Sequence, residues 1–153
     1  MGGRFGQLIL AILFSGAVAS HALAETAADT AGTWGLIGTW ARDCSVPAAG
    51  KNKVAKLSYV ILGDNRFVHR RDFGDDTNDE NPVVGAEVSG DGMLNLRVVF
   101  PKFNNQTREY GLMRQPDGTM RTMYNHDERQ EYSIKDGIFT ANGNPTPELH
   151  KCR

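Results

Sequence analysis

The absences in this chain narrow its function before any motif is sought. It has no charge excess: 17 Lys and Arg stand against 18 Asp and Glu, a net charge of −1. A nucleic-acid binder carries a clear basic surplus. It has no apolar run of membrane-spanning length. Its longest, the twelve residues Leu8 to Ala19 (LILAILFSGAVA), would span about 18 Å as a helix against a hydrocarbon core of about 30 Å. There is no C-x-x-C, G-x-G-x-x-G, H-E-x-x-H or G-x-S-x-G, the frames of thiol redox, dinucleotide, zinc-protease and esterase chemistry. After residue 24 no long window carries an apolar stripe at helical spacing. What remains is 40% hydrophobic residues recurring along 153 positions, the composition of one folded domain rather than of a disordered chain.

The N-terminus reads as an address. Arg4 supplies a positive start, Leu8 to Ala19 the apolar stretch, and Ala22-Leu23-Ala24 a small-residue cleavage site. Residues 1–24 are therefore expected to be a secretory signal peptide. No twin-Arg pair precedes the apolar stretch, and no Cys follows the cleavage site for an acyl anchor. The expected location is periplasmic or secreted, with no membrane span after cleavage. Residues 25–33 (ETAADTAGT) are small and polar and are expected to form a flexible leader, and residues 34–153 a single domain. Cys44 and Cys152 are the only cysteines. In an oxidising compartment an even count predicts pairing. The bridge would close a loop of about 108 residues and contribute up to about 4.7 kcal/mol in the chain-entropy model.

Alternation at period two then recurs along the chain. It predicts strands over 36–43, 54–62, 66–73, 82–89, 93–100, 107–115, 119–126, 130–135 and 138–141, with an acidic loop at 75–81 and an irregular tail from 142. Turns bearing Gly, Asp or Pro separate them, as in Gly90-Asp91-Gly92 and Pro116-Asp117-Gly118. The predicted fold is all-β, an antiparallel meander closed into an eight- or nine-stranded barrel, because closure removes two open edges. A β-sandwich is the alternative.

Gly38-Thr39-Trp40 at the start of the first strand resembles the G-x-W signature of lipocalins and other calycins. The resemblance implies a small barrel with Trp40 packed across its bottom, an Arg (Arg121 or Arg129) stacked on that Trp, and a disulfide from barrel to tail. GTWARDCS (38–45) and NGNPTPELHKC (142–152) resemble the ends of uncharacterised small exported proteins of alpha-proteobacteria. A looser similarity, a Trp near the start and one disulfide, is to periplasmic inhibitors of secreted metalloproteases.

Candidate chemistry is sparse. The acidic run 74–81 (GDDTNDEN) fails as a calcium loop because Asn81 occupies the position that needs Gly and Pro82 follows. It is expected to be a solvated hairpin loop. His69, His126 and His150 lack metal-ligand spacing. His126-Asp127-Glu128 falls at an expected turn. No metal, cofactor or catalytic set is expected. The informative feature is polar residues on strand faces that otherwise look inward. His69 and Arg71 share a face with Phe67 and Phe73; Arg108 and Arg114 accompany Tyr110 and Leu112; Thr122 and Tyr124 accompany Met120. Buried Arg is costly unless paired or facing water. A polar-lined cup formed by His69, Arg71, Arg108, Tyr110 and Tyr124, holding an anionic or hydroxylated small molecule, would explain the pattern. The alternative is that these groups sit at the rim or pair with Glu109, Glu128 or Glu131. The expected function is small-molecule binding. The second expectation is a protein-interaction module, such as an inhibitor of a secreted hydrolase, with a secreted or periplasmic protein as partner.

Overall fold

The computed structural model describes residues 25–49 and 55–153, so the expected signal peptide lies outside the described residues. Among the described residues the chain is all-β apart from one short helix and one 3-10 turn. Helix α1 spans Ala27–Trp34. The strands are β1 Gly38–Ala41, β2 Lys56–Ile61, β3 Phe67–Asp72, β4 Asp79–Val88, β5 Leu94–Phe100, β6 Gln106–Arg114, β7 Met120–Asp127, β8 Tyr132–Lys135, β9 Ile138–Phe139 and β10 His150–Cys152. They form one antiparallel sheet in the order β10-β1-β2-β3-β4-β5-β6-β7-β8-β9, a meander in which only β10 is out of sequence.

The sheet curls strongly into a half-barrel. The C-terminal segment bridges its gap. β10 pairs with β1, and Leu149, just before β10, exchanges two 2.9 Å backbone hydrogen bonds with Met120 at the start of β7. The C-terminal segment thus ties the first strand to the seventh. Cys44 and Cys152 are disulfide-bonded across 108 residues, fixing β10 beside β1 as expected.

Two expectations are corrected. The flexible leader is in fact α1. Thr26 and Asp29 form a capping box, Thr26 Oγ1 accepting from the Asp29 backbone N–H at 3.2 Å while Asp29 accepts from the Thr26 N–H at 3.3 Å. Gly35, at φ 86°, ends the helix in the left-handed conformation that glycine adopts without strain. The acidic run is also only half a loop, because Asp79, Glu80 and Asn81 open β4.

Apolar side chains of the inner face form a cluster of Leu36, Trp40, Leu94, Leu96, Leu112 and Met120, joined by Ala31 of α1. Fully burying each large side chain is worth roughly 1.5–3 kcal/mol. α1 packs near β4, and Trp34 Nε1 donates to the carbonyl of Gly92 in the β4–β5 turn at 2.9 Å. The helix therefore covers the end of the meander where β4 stops and β5 starts. The cation over Trp40 is neither Arg121 nor Arg129 but Lys151, 5.6 Å from the ring centroid. Arg121 instead donates to the Gly137 carbonyl at 3.2 Å, and Arg129 lies 3.8 Å from Asp127.

Candidate functional site

At the end opposite α1 the half-barrel is open. A cleft of about 1170 Å³ lies there, lined by the end of β3, the end of β5, the start of β6, the end of β7 and the C-terminal segment from Asn142 to His150. Four of the five predicted binding residues, His69, Arg71, Arg108 and Tyr110, line it.

Tyr124 does not. β7 carries a bulge opposite Gly111 and Leu112: Leu112 pairs with Thr122, but Gly111 pairs with Tyr124, leaving Met123 extra. An extra residue switches every following side chain to the other face. Thr122 and Asn125 therefore face the cleft, while Tyr124 points to the convex side and donates to Asn95 Oδ1 at 2.8 Å. There it stacks on His126 at 5.5 Å between ring centroids. A Cβ at Gly111 would overlap the Tyr124 ring, so the glycine makes room for the tyrosine.

His69 is 2% exposed. Its ring stacks on Tyr59 at 4.7 Å and meets the edge of Tyr110 at 5.9 Å. Neither ring nitrogen has a hydrogen-bond partner among the described residues. Burial chiefly, and the nearby Arg71 charge, push its pKa down to about 3, against a smaller opposing pull from Asp79. His69 is thus a neutral imidazole at physiological pH, with one N–H to donate and one lone pair to accept.

Arg71 is paired with Asp79, its register partner on β4. Asn81 Nδ2 donates to the same carboxylate at 2.7 Å. Burial opposes ionisation of Asp79, but the hydrogen bonds from Arg71 and Asn81 and the Arg71 charge outweigh it and hold the carboxyl below its usual range. The guanidinium carbon of Arg71 lies 4.7 Å from the Phe100 centroid, 5.5 Å from Phe73 and 5.8 Å from Phe103. Arg71 is therefore neutralised and stacked within an aromatic wall.

Arg108 differs. Its Nε donates to Asn125 Oδ1 at 2.7 Å, one terminal nitrogen to Ser133 Oγ at 3.1 Å and the other to Gln106 Oε1 at 3.4 Å. All three acceptors are neutral. The expected pairing with Glu109, Glu128 or Glu131 is not seen; Glu109 meets Arg97 at 3.2 Å and His126 at 3.7 Å on the other face. Burial raises the Tyr110 pKa, and the Arg71 and Arg108 charges oppose that rise.

Sequence reasoning did not single out Asp79, Asn81, Tyr59, Asn125 or Ser133. Asp79 and Asn81 were hidden inside an acidic run. His126 and Asp127 are buried strand residues rather than a solvated turn. No group of His, Cys, Asp and Glu suited to a metal ion occurs among the described residues. Comparison with protein-family models, with curated proteins and with solved structures finds no match. No helix among the described residues is long and apolar enough to cross a membrane.

Proposed function

We propose that this protein is an exported, lipocalin-like half-barrel that binds a small organic molecule in the cleft opposite α1. The observation that carries this reading is His69. A fully buried imidazole with two unpartnered nitrogens, on the wall of an open cleft of about 1170 Å³, is expensive: an unsatisfied buried polar group costs about 1–3 kcal/mol. Both nitrogens are also closed to solvent, so a ligand reaches them only where a neighbouring ring, Tyr59 or Tyr110, gives way, and the open cleft beside them leaves room for that. The surroundings support the reading. Aromatic side chains give apolar contact area, and a few convergent polar groups give orientation, the usual make-up of a small-molecule site. Export is supported by the signal-like N-terminus and by the disulfide, a bond that persists in oxidising compartments.

The test is native mass spectrometry of the protein purified from the cells that make it, beside a denatured sample. The reading expects an added mass that is present in the native spectrum and lost on denaturation. A bare chain, together with no thermal shift across a library of small organic acids, alcohols and sugars, would overturn it.

A further inference from the structure

We infer that the ligand of this cleft is an amphiphilic monoanion, a flat apolar body carrying one carboxylate- or sulfonate-sized group, with the anion seated on Arg108. The inference rests on the small-molecule reading above and adds the ligand's chemistry.

The two inward arginines supply the argument. Arg71 already has its counter-ion, Asp79, and its flat faces are covered by phenyl rings. Arg108 has none. A guanidinium carries five N–H donors, and the three hydrogen bonds of Arg108 end on amide and hydroxyl oxygens. They hold the group in place without cancelling its charge, and donors remain for a further acceptor. Removing an arginine partly from water is costly unless an anion meets it. Arg42 also lines the cleft, Glu148 is the one carboxylate among the lining residues, and Arg71 carries its own counter-ion in Asp79.

Hydrogen bonds to a charged group are stronger than neutral ones, and a planar carboxylate matches the fork of an arginine. The apolar body follows from the remaining surface. Phe73, Phe100 and Phe103 stand on one side, and Ile134, Phe139 and Leu149 on another. His69 lines the same cleft, and its nitrogens, closed to solvent, come within reach of a second polar atom of the ligand only when a neighbouring ring moves.

Two fluorescent probes with one skeleton separate the claims. 8-Anilinonaphthalene-1-sulfonate carries an anionic group; N-phenyl-1-naphthylamine is the same ring system without it. The full mature chain with its disulfide intact should bind the sulfonate more tightly. Arg108→Gln should weaken the sulfonate about tenfold to a hundredfold and leave the neutral probe unchanged. Arg108→Lys should restore part of the loss, and Arg66→Gln, an exposed pair with Asp64 elsewhere, should change nothing. Should Arg108→Gln fail to fold, added salt on the wild type gives the same answer, weakening the sulfonate alone. Equal affinity for the two probes, or a sulfonate indifferent to Arg108 and to salt, overturns the anion assignment while the cleft reading stands. Binding of neither probe overturns both.

Discussion

Beneath α1 the inner face of the sheet presents Trp40, Leu94, Leu112 and Met120, with Leu36 beside it; toward the open end it presents His69, Arg71, Arg108 and Asn125, with Asp79 behind Arg71. Under the helix the polar atoms of the large rings are partnered. Trp40 Nε1 donates to Leu36 at 2.7 Å and Trp34 Nε1 to Gly92 at 2.9 Å. At the open end a histidine is buried with no hydrogen-bond partner, and a half-buried arginine makes no salt bridge among the described residues. One sheet thus follows two rules. The end under α1 gives both indole N–H groups an acceptor, and the end that opens keeps groups that stability alone would discard. The proposed binding site accounts for that difference.

The contrast can be broken by substitution. Trp40→Ala should cost most, about 3–5 kcal/mol in urea unfolding, because it empties the sealed end. Replacing Cys44 and Cys152 together by Ser should cost about 2–5 kcal/mol by freeing β10 from β1; a loss well under 1 kcal/mol would show that β-pairing alone holds the C-terminal segment. Asp79→Asn should cost about 1–3 kcal/mol, since it strips the counter-ion from a half-buried Arg71. The smallest effect at neutral pH belongs to His69, and its sign depends on pH. The unfolded histidine takes up a proton below about 6.5, whereas the folded one resists until about 3. The unfolded state then binds more protons, so stability falls as pH drops from 6.5 toward 3, by up to about 1.4 kcal/mol per pH unit. Asp79, held low by Arg71, adds a loss only below its own unfolded value, near pH 4. Stability curves at pH 7, 6, 5 and 4.5 should therefore slope in the wild type and flatten in His69→Phe.

Much of this was legible in the sequence. Period-two alternation located the strands, the Gly- and Asp-bearing turns separated them, and the cysteine count gave the staple. Four cleft residues, His69, Arg71, Arg108 and Tyr110, were legible because they share a face with large apolar neighbours on β3 and β6. Tyr124 was misplaced because a bulge leaves no mark in the alternation of β7 itself. The hint lay across the ladder, at Gly111, since a glycine inside a strand often marks a close approach. α1 was missed because its stripe, Ala27, Ala28, Ala31 and Trp34, is mostly alanine and sits in small and polar company, although Thr26, Asp29 and Gly35 already spelled its two caps. Asp79 was missed because net acidity in 74–81 looked like solvation. Only the β3–β4 register, which sets Asp79 opposite Arg71, separates it from its neighbours.

The most direct measurement follows His69→Phe in two readouts at pH 7, unfolding free energy and affinity for 8-anilinonaphthalene-1-sulfonate. The ring stack on Tyr59 is kept and the two nitrogens are lost. If the open end is maintained for a ligand, the variant will match or exceed the wild type in stability, within about 1 kcal/mol, and will bind the probe more weakly. A variant that loses several kcal/mol while binding as before would make His69 a structural residue and contradict the division of the sheet into a sealed end and a binding end.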